Sequence, residues 1–73
     1  MKRYIVNVHR RKLDDEGVPY WLNSTETRFA DSWQSAILSH SRVGAEFESL
    51  IDEDDLDKRC EKFGYLIHWE FAK

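Results

Sequence analysis

"FESLIDEDDLDKRCEKFGYLIHWEF" (residues 47–71) contains two breaks in hydrophobic periodicity, and these decide the fold. Phe47 and Ile51 stand four apart and continue the phase of an upstream stripe, Trp33, Ala36, Ile37 and His40. Leu56, Cys60 and Phe63 form a separate stripe, on the opposite side of any continued helix. In a two-layer domain a helix buries one side only, so the chain must turn between Asp52 and Asp55. The second break falls at Gly64, which ends the helix. Beyond it Tyr65, Ile67, Trp69 and Phe71 alternate with Leu66, His68 and Glu70, the period-two pattern of a strand with one apolar face.

Working outward, "RYIVNVHRRKL" (3–13) and "VPYWLNSTETRF" (18–29) read as two more strands, rich in β-branched and aromatic residues. Between them "DDEG" supplies a hairpin loop whose Gly17 is free to take positive φ; three- and four-residue loops both fit. Pro19 lacks an N–H, which puts the second strand at an edge or gives it a bulge, and this favours the first strand as the central one without fixing the order. The stretch from Ser32 reads as a helix capped by Asp31, with Gln34 placed as in a capping box. It runs either unbroken to Ile51, with Gly44 allowing close approach to the sheet, or breaks at Gly44. The predicted fold class is therefore α+β: β-β-α-α-β, a three-stranded, mostly antiparallel sheet with two helices on one face, in one domain over residues 1–73.

A 73-residue chain buries a small core. Its single cysteine excludes an internal disulfide and fits a reducing cytoplasm. Four Phe, three Tyr and three Trp are the expected compensation, and a homo-oligomer is another. No signal-peptide pattern and no apolar run near the ~18 residues of a spanning helix occurs.

Charge is segregated along the chain. Residues 2–12 carry five basic side chains (Lys2, Arg3, Arg10, Arg11, Lys12) and no acid, whereas residues 46–57 carry seven acids and no base. The acids are Glu46, Glu48, Asp52, Glu53, Asp54, Asp55 and Asp57. They do not form a calcium loop: counted from Asp52, the fifth position is Leu56 and the sixth is Asp57 rather than glycine. Asp54 and Asp55 suit a helix start, with Lys58 and Arg59 following at i,i+4. One or two acids suffice for capping, and Asp52 and Glu53 also fall at the C-terminal end of the preceding helix, where negative charge is unfavourable. The surplus points to an acidic surface that meets something basic.

Other chemistries have weaker support. His9, His40, His68 and Cys60 lack the close spacing of zinc ligands, and Cys60 sits on an apolar stripe. Ser39 and His40 are helix neighbours that diverge, and no glycine-rich phosphate loop occurs. Neither a catalytic constellation nor a metal or cofactor site is expected. Two binding modes remain. The first expectation is a non-enzymatic module whose acidic segment 46–57 blocks a partner's basic, nucleic-acid-binding surface. Its general character is that of small accessory proteins and inhibitors from phages and mobile elements. The alternative is a nucleic-acid-binding or regulatory module using Arg10, Arg11, Lys12 and an unburied Trp21.

Overall fold

The computed structural model describes residues 1–73 and contains the predicted α+β architecture. Strands β1 (Lys2–Leu13), β2 (Pro19–Ala30) and β3 (Tyr65–Phe71) form an antiparallel sheet in the order β2-β1-β3. Helices α1 (Trp33–Ser39) and α2 (Glu53–Phe63) pack on one face, with a 3₁₀ turn at Ala45–Phe47 between them. No helix is long and apolar enough to cross a membrane.

The hairpin follows from its turn. Gly17 N–H donates to Asp14 O, and Asp14 N–H to Val18 O, which leaves three residues at the tip. Gly17 takes the left-handed conformation that this three-residue loop requires (φ 79°). Register then places Arg10 opposite Leu22 and opposite Tyr65, so the hairpin extends beyond the start of β3. The central strand alternates cleanly. Tyr4, Val6 and Val8 are buried beneath the helices, while Ile5, Asn7 and His9 lie on the other face, which no element covers. Pro19 sits on the edge strand, opposite Leu13, where its missing N–H is tolerated.

The core joins Val6, Val8, Ala36, Ile37, Phe47, Leu56 and Ile67. Trp33 and Trp69 close one end, their rings stacked at 5.9 Å with 4° between planes, so α1 is bridged to β3. Phe47 meets Tyr65 edge-on at 4.9 Å.

Between the helices the structure departs from expectation. The long helix to Ile51, broken or unbroken at Gly44, does not form: α1 ends at Ser39. The cause is His40. Its ring is 1% exposed and is held between Ser24 O and the Arg42 N–H, each at 3.1 Å, which draws the chain off the helical path. The N-cap is Ser32 rather than Asp31, its Oγ accepting from Ser35 N–H. Gln34 donates instead to Ile51 O. Gly44 precedes the 3₁₀ turn and makes no close approach to the sheet; a Cβ there would meet the side chain of Glu46. Ser49 has φ 63°, and this left-handed step puts Leu50 in the core and leaves Ile51 75% exposed. Of the α2 stripe, Leu56 and Cys60 are buried and Phe63 is partly exposed. The turn expected between Asp52 and Asp55 begins α2, and Gly64 ends it in the left-handed conformation.

Candidate functional site

The acidic segment is largely occupied by the fold. Asp52 is the N-cap of α2, accepting from Asp55 N–H at 2.9 Å, and Asp55 accepts from Ile51 N–H at 3.1 Å. Asp55 also pairs with Arg59 at 2.9 Å, and the Ile51 N–H, joined by this guanidinium, holds its carboxyl below the usual range. Arg59 then donates to the carbonyls of Glu46, Glu48 and Ser49, which pins the irregular connection. Glu53 accepts from Trp69 Nε1 at 3.0 Å. Glu46 accepts from Tyr65 O–H at 2.7 Å, which lowers the carboxyl pKa; burial and the same bond push the phenol up to about 12. The expected surplus over structural needs, Asp52, Glu53, Glu46 and Glu48, therefore narrows. Three of those four carry side-chain hydrogen bonds within the molecule. Glu48, Asp54 and Asp57 form no ion pair, and the i,i+4 pairing of Asp54 with Lys58 is not made.

The basic hairpin divides by strand alternation. Arg10 and Lys12 lie on the helix side of β1, whereas Arg11 shares the uncovered side with Trp21, its cross-strand partner. Trp21 is 46% exposed, at the rim of a shallow cleft of about 400 Å³. Arg11 and Leu66 line this cleft on the sheet side, and Asp57 and Glu61 on the side of α2. One acid of segment 46–57 is thus brought to the same cleft as two residues of the hairpin.

Arg10 and Lys12 line a second pocket, of about 240 Å³, together with Leu22, Ser24, Ser41 and Arg42. No carboxylate is among its lining residues. None of its three cations forms an ion pair. Arg10 lies against the Tyr65 ring, 5.2 Å from its centroid, which orients the guanidinium without neutralising it. Two carboxylates stand behind the walls. Glu26 accepts from both the hydroxyl and the N–H of Ser41 and pairs with Arg28, and the Ser41 hydroxyl is the main reason its carboxyl pKa is lowered. Glu46 is close enough to Arg10 for that charge to help hold it ionised.

Arg42, Ser24 and Ser41 had no signal in the sequence. Ser24 is placed there by the strand register, opposite Val8, whereas Ser41 and Arg42 reach the pocket only because α1 stops at Ser39, and that stop depends on His40 bonding across to β2. His9 and His68 share the uncovered face as diagonal neighbours, and His40 is buried on the other side of the sheet. His68 stands opposite Asn7, and His9 opposite Leu66 while its ring bonds Asn23 Oδ1. Asn7 Oδ1 is buried without a hydrogen-bond partner. Burial raises the thiol pKa of Cys60 to about 11, so it is neutral at physiological pH and a poor nucleophile there.

Comparison with known proteins finds no match: no family model fits the chain, and no curated protein or solved structure is significantly similar to it.

Proposed function

We propose that the protein is a non-enzymatic nucleic-acid-binding module that holds a strand against its basic hairpin. The observation that carries this reading is the pocket in which Arg10, Lys12 and Arg42 converge without a carboxylate in the lining. Unpaired cations around a concave site attract phosphate, and their mutual repulsion is relieved when an anion is bound. The uncovered sheet face supports the same reading. It presents Trp21 with Arg11, and His9 and His68 among Asn7, Asn23 and Thr25, groups that stack on bases and hydrogen-bond their edges. Asn23 belongs to both surfaces, since it lines the pocket and bonds His9, so one strand can cross the β2 edge between them.

Fluorescence anisotropy with a short labelled single strand, and with its duplex, tests this. Binding at about 50 mM salt should weaken steeply towards about 200 mM. Lys12→Gln and Arg42→Gln should each flatten the log–log salt slope for the single strand by about 0.7. Absence of binding at low salt overturns the reading.

A second reading keeps the acidic segment as the contact surface of a small inhibitor that occupies a partner's basic, nucleic-acid-binding groove. One observation favours it: Ile51 is 75% exposed between Glu48 and Asp54, an apolar knob with unpaired acids on either side. Affinity capture from the source cell decides, using the native chain beside an Ile51→Ser, Asp54→Asn, Asp57→Asn variant. A basic partner retained by the native chain alone supports this reading. The same proteins on both, or none on either, remove it.

A further inference from the structure

We infer that the Arg10–Lys12–Arg42 pocket takes the terminal phosphate of a strand, a phosphomonoester, rather than an internal phosphodiester. The inference rests on the nucleic-acid reading above and specifies which part of the strand the pocket holds.

The charge count favours an end. Three cations line the pocket. Of the two carboxylates behind it, Glu26 is compensated by Arg28. Glu46 is not compensated by an ion pair, because its partner is the neutral Tyr65 hydroxyl. The local balance is therefore close to two positive charges. A phosphodiester carries one negative charge and would leave the site over-positive, whereas a phosphomonoester carries about 1.5 to 2 near neutral pH.

The donors agree with this. Ser41 Oγ already donates to Glu26, and the Arg42 N–H is taken by His40. What remains free is the two guanidinium groups, the Lys12 ammonium, the Ser24 hydroxyl and the Asn23 amide N–H groups, all of them groups that donate to phosphate oxygens. A monoester has three terminal oxygens to receive them, and a diester has two. The volume, about 240 Å³, admits a phosphate with part of its sugar. Leu22 and Val8 are the apolar residues of the wall, and Leu22 is the more exposed of the two to that sugar. No aromatic ring lines the pocket, so it has no place to stack a base.

The walls are also preformed. Ser41 is held by Glu26 through two hydrogen bonds, and His40 fixes the backbone at Arg42 and at Ser24. Little ordering of the backbone remains to be done when the anion arrives.

The test compares one labelled single strand in three forms: 5′-phosphate, 3′-phosphate, and hydroxyl at both ends. Affinities are measured by anisotropy with the native protein, Arg42→Gln and Lys12→Gln. The side chains of Arg42 and Lys12 make no hydrogen bond or ion pair within the molecule, so both variants keep the fold, which circular dichroism verifies. One phosphorylated form should bind about tenfold more tightly than the hydroxyl form, and either variant should erase that difference while retaining residual binding. Equal affinity for all three forms overturns the terminal-phosphate assignment and leaves the nucleic-acid reading standing. A preference that survives both substitutions overturns the pocket as its origin. Absence of binding by every form at low salt overturns both.

Discussion

His40 Nε2 lies 3.1 Å from the backbone carbonyl of Ser24, on the neighbouring edge strand. The Arg42 N–H can only donate, and it points at Nδ1, so Nδ1 accepts there and Nε2 is the nitrogen placed to donate to the Ser24 carbonyl. One imidazole thus ends α1, closes the core over β2 and sets the wall of the basic pocket. Its removal should act on both stability and binding. His40→Phe fills the volume but leaves the part-buried Ser24 O and Arg42 N–H without their partner, at a cost of about 1–3 kcal/mol. His40→Gln, which can donate and accept, should cost less. Urea titrations of the three proteins check the order.

Acid should destabilise the fold through identifiable carboxylates. Glu26 is held below its ordinary value of 4.5 chiefly by the Ser41 hydroxyl, and Glu46 chiefly by Tyr65 O–H. In both, the folded state releases the proton more readily than the unfolded chain. Their stabilisation is therefore complete above pH 4.5 and is lost as pH falls through the lowered folded values. Melting midpoints recorded from pH 7 downward should drop below pH 4.5. Glu26→Gln should melt earlier at neutral pH, and its curve should converge on that of the native protein in acid. Convergence already at pH 6 would contradict this assignment.

The alkaline limb has the opposite sign. Cys60 and Tyr65 are raised, from 9.0 to about 11 and from 10.0 to about 12, both chiefly by burial. The unfolded chain ionises first, so stability is intact below pH 9 and declines as pH rises through these folded values. Tyr65→Phe removes the tyrosine component and also leaves Glu46 without its donor, so it should lower the neutral-pH melting point and flatten the alkaline fall.

Strand content and the order of elements along the chain were legible because they rest on local pattern, whereas the strand order in the sheet and the hairpin register were not. Period-two alternation marks β3, Pro19 marks an edge or a bulge, and Gly17 and Gly64 mark places that need positive φ. The turn before α2 was legible from the mismatch between the two apolar stripes. The end of α1 was not. Its residues continue a helical stripe to Ile51, and only a contact to Ser24, distant in sequence, overrules that propensity. The same contact brings Ser41 and Arg42 to the pocket, so that part of its lining was invisible for the same reason. Arg10 and Lys12 were legible as charges, but their separation from Arg11 and Trp21 required the register. The acidic run misled in the other direction: Glu46 and Glu53 look surplus until Tyr65 and Trp69 arrive from the last strand to bond them.

The aromatic clasp at the end of the core should be measurable as a coupling. Trp33 and Trp69 stack in parallel at 5.9 Å and join α1 to β3, elements with no backbone hydrogen bond between them. A double-mutant cycle with Trp33→Leu and Trp69→Leu should give a coupling of about 0.5–1.5 kcal/mol beyond the separate losses of apolar burial. The variants also separate the fluorophores. Trp21 is 46% exposed and remains in the doubly substituted protein, where acrylamide should quench its emission efficiently. If a nucleic-acid strand crosses the sheet face, adding it should protect that emission.

The acids of segment 46–57 should divide sharply when substituted one at a time. Asp52 accepts from the Asp55 N–H in the first turn of α2, so Asp52→Ala should cost about 1 kcal/mol in a guanidinium titration. Glu53→Ala should also destabilise, since it strips the hydrogen bond from Trp69 Nε1 and loosens the stacked pair. Asp54 and Asp57 make no hydrogen bond or ion pair, and Asp54→Asn and Asp57→Asn should leave stability within about 0.5 kcal/mol. Asp57 has a further consequence because it faces the cleft that holds Arg11 and Trp21. An acid there repels a phosphate approaching Arg11, so Asp57→Asn should tighten strand binding while Asp54→Asn leaves it unchanged. If the acidic segment is instead the surface that meets a basic partner, the two substitutions should both weaken that association, and neither should strengthen anything. The sign of the Asp57→Asn effect therefore separates the two readings in a single variant that keeps its fold.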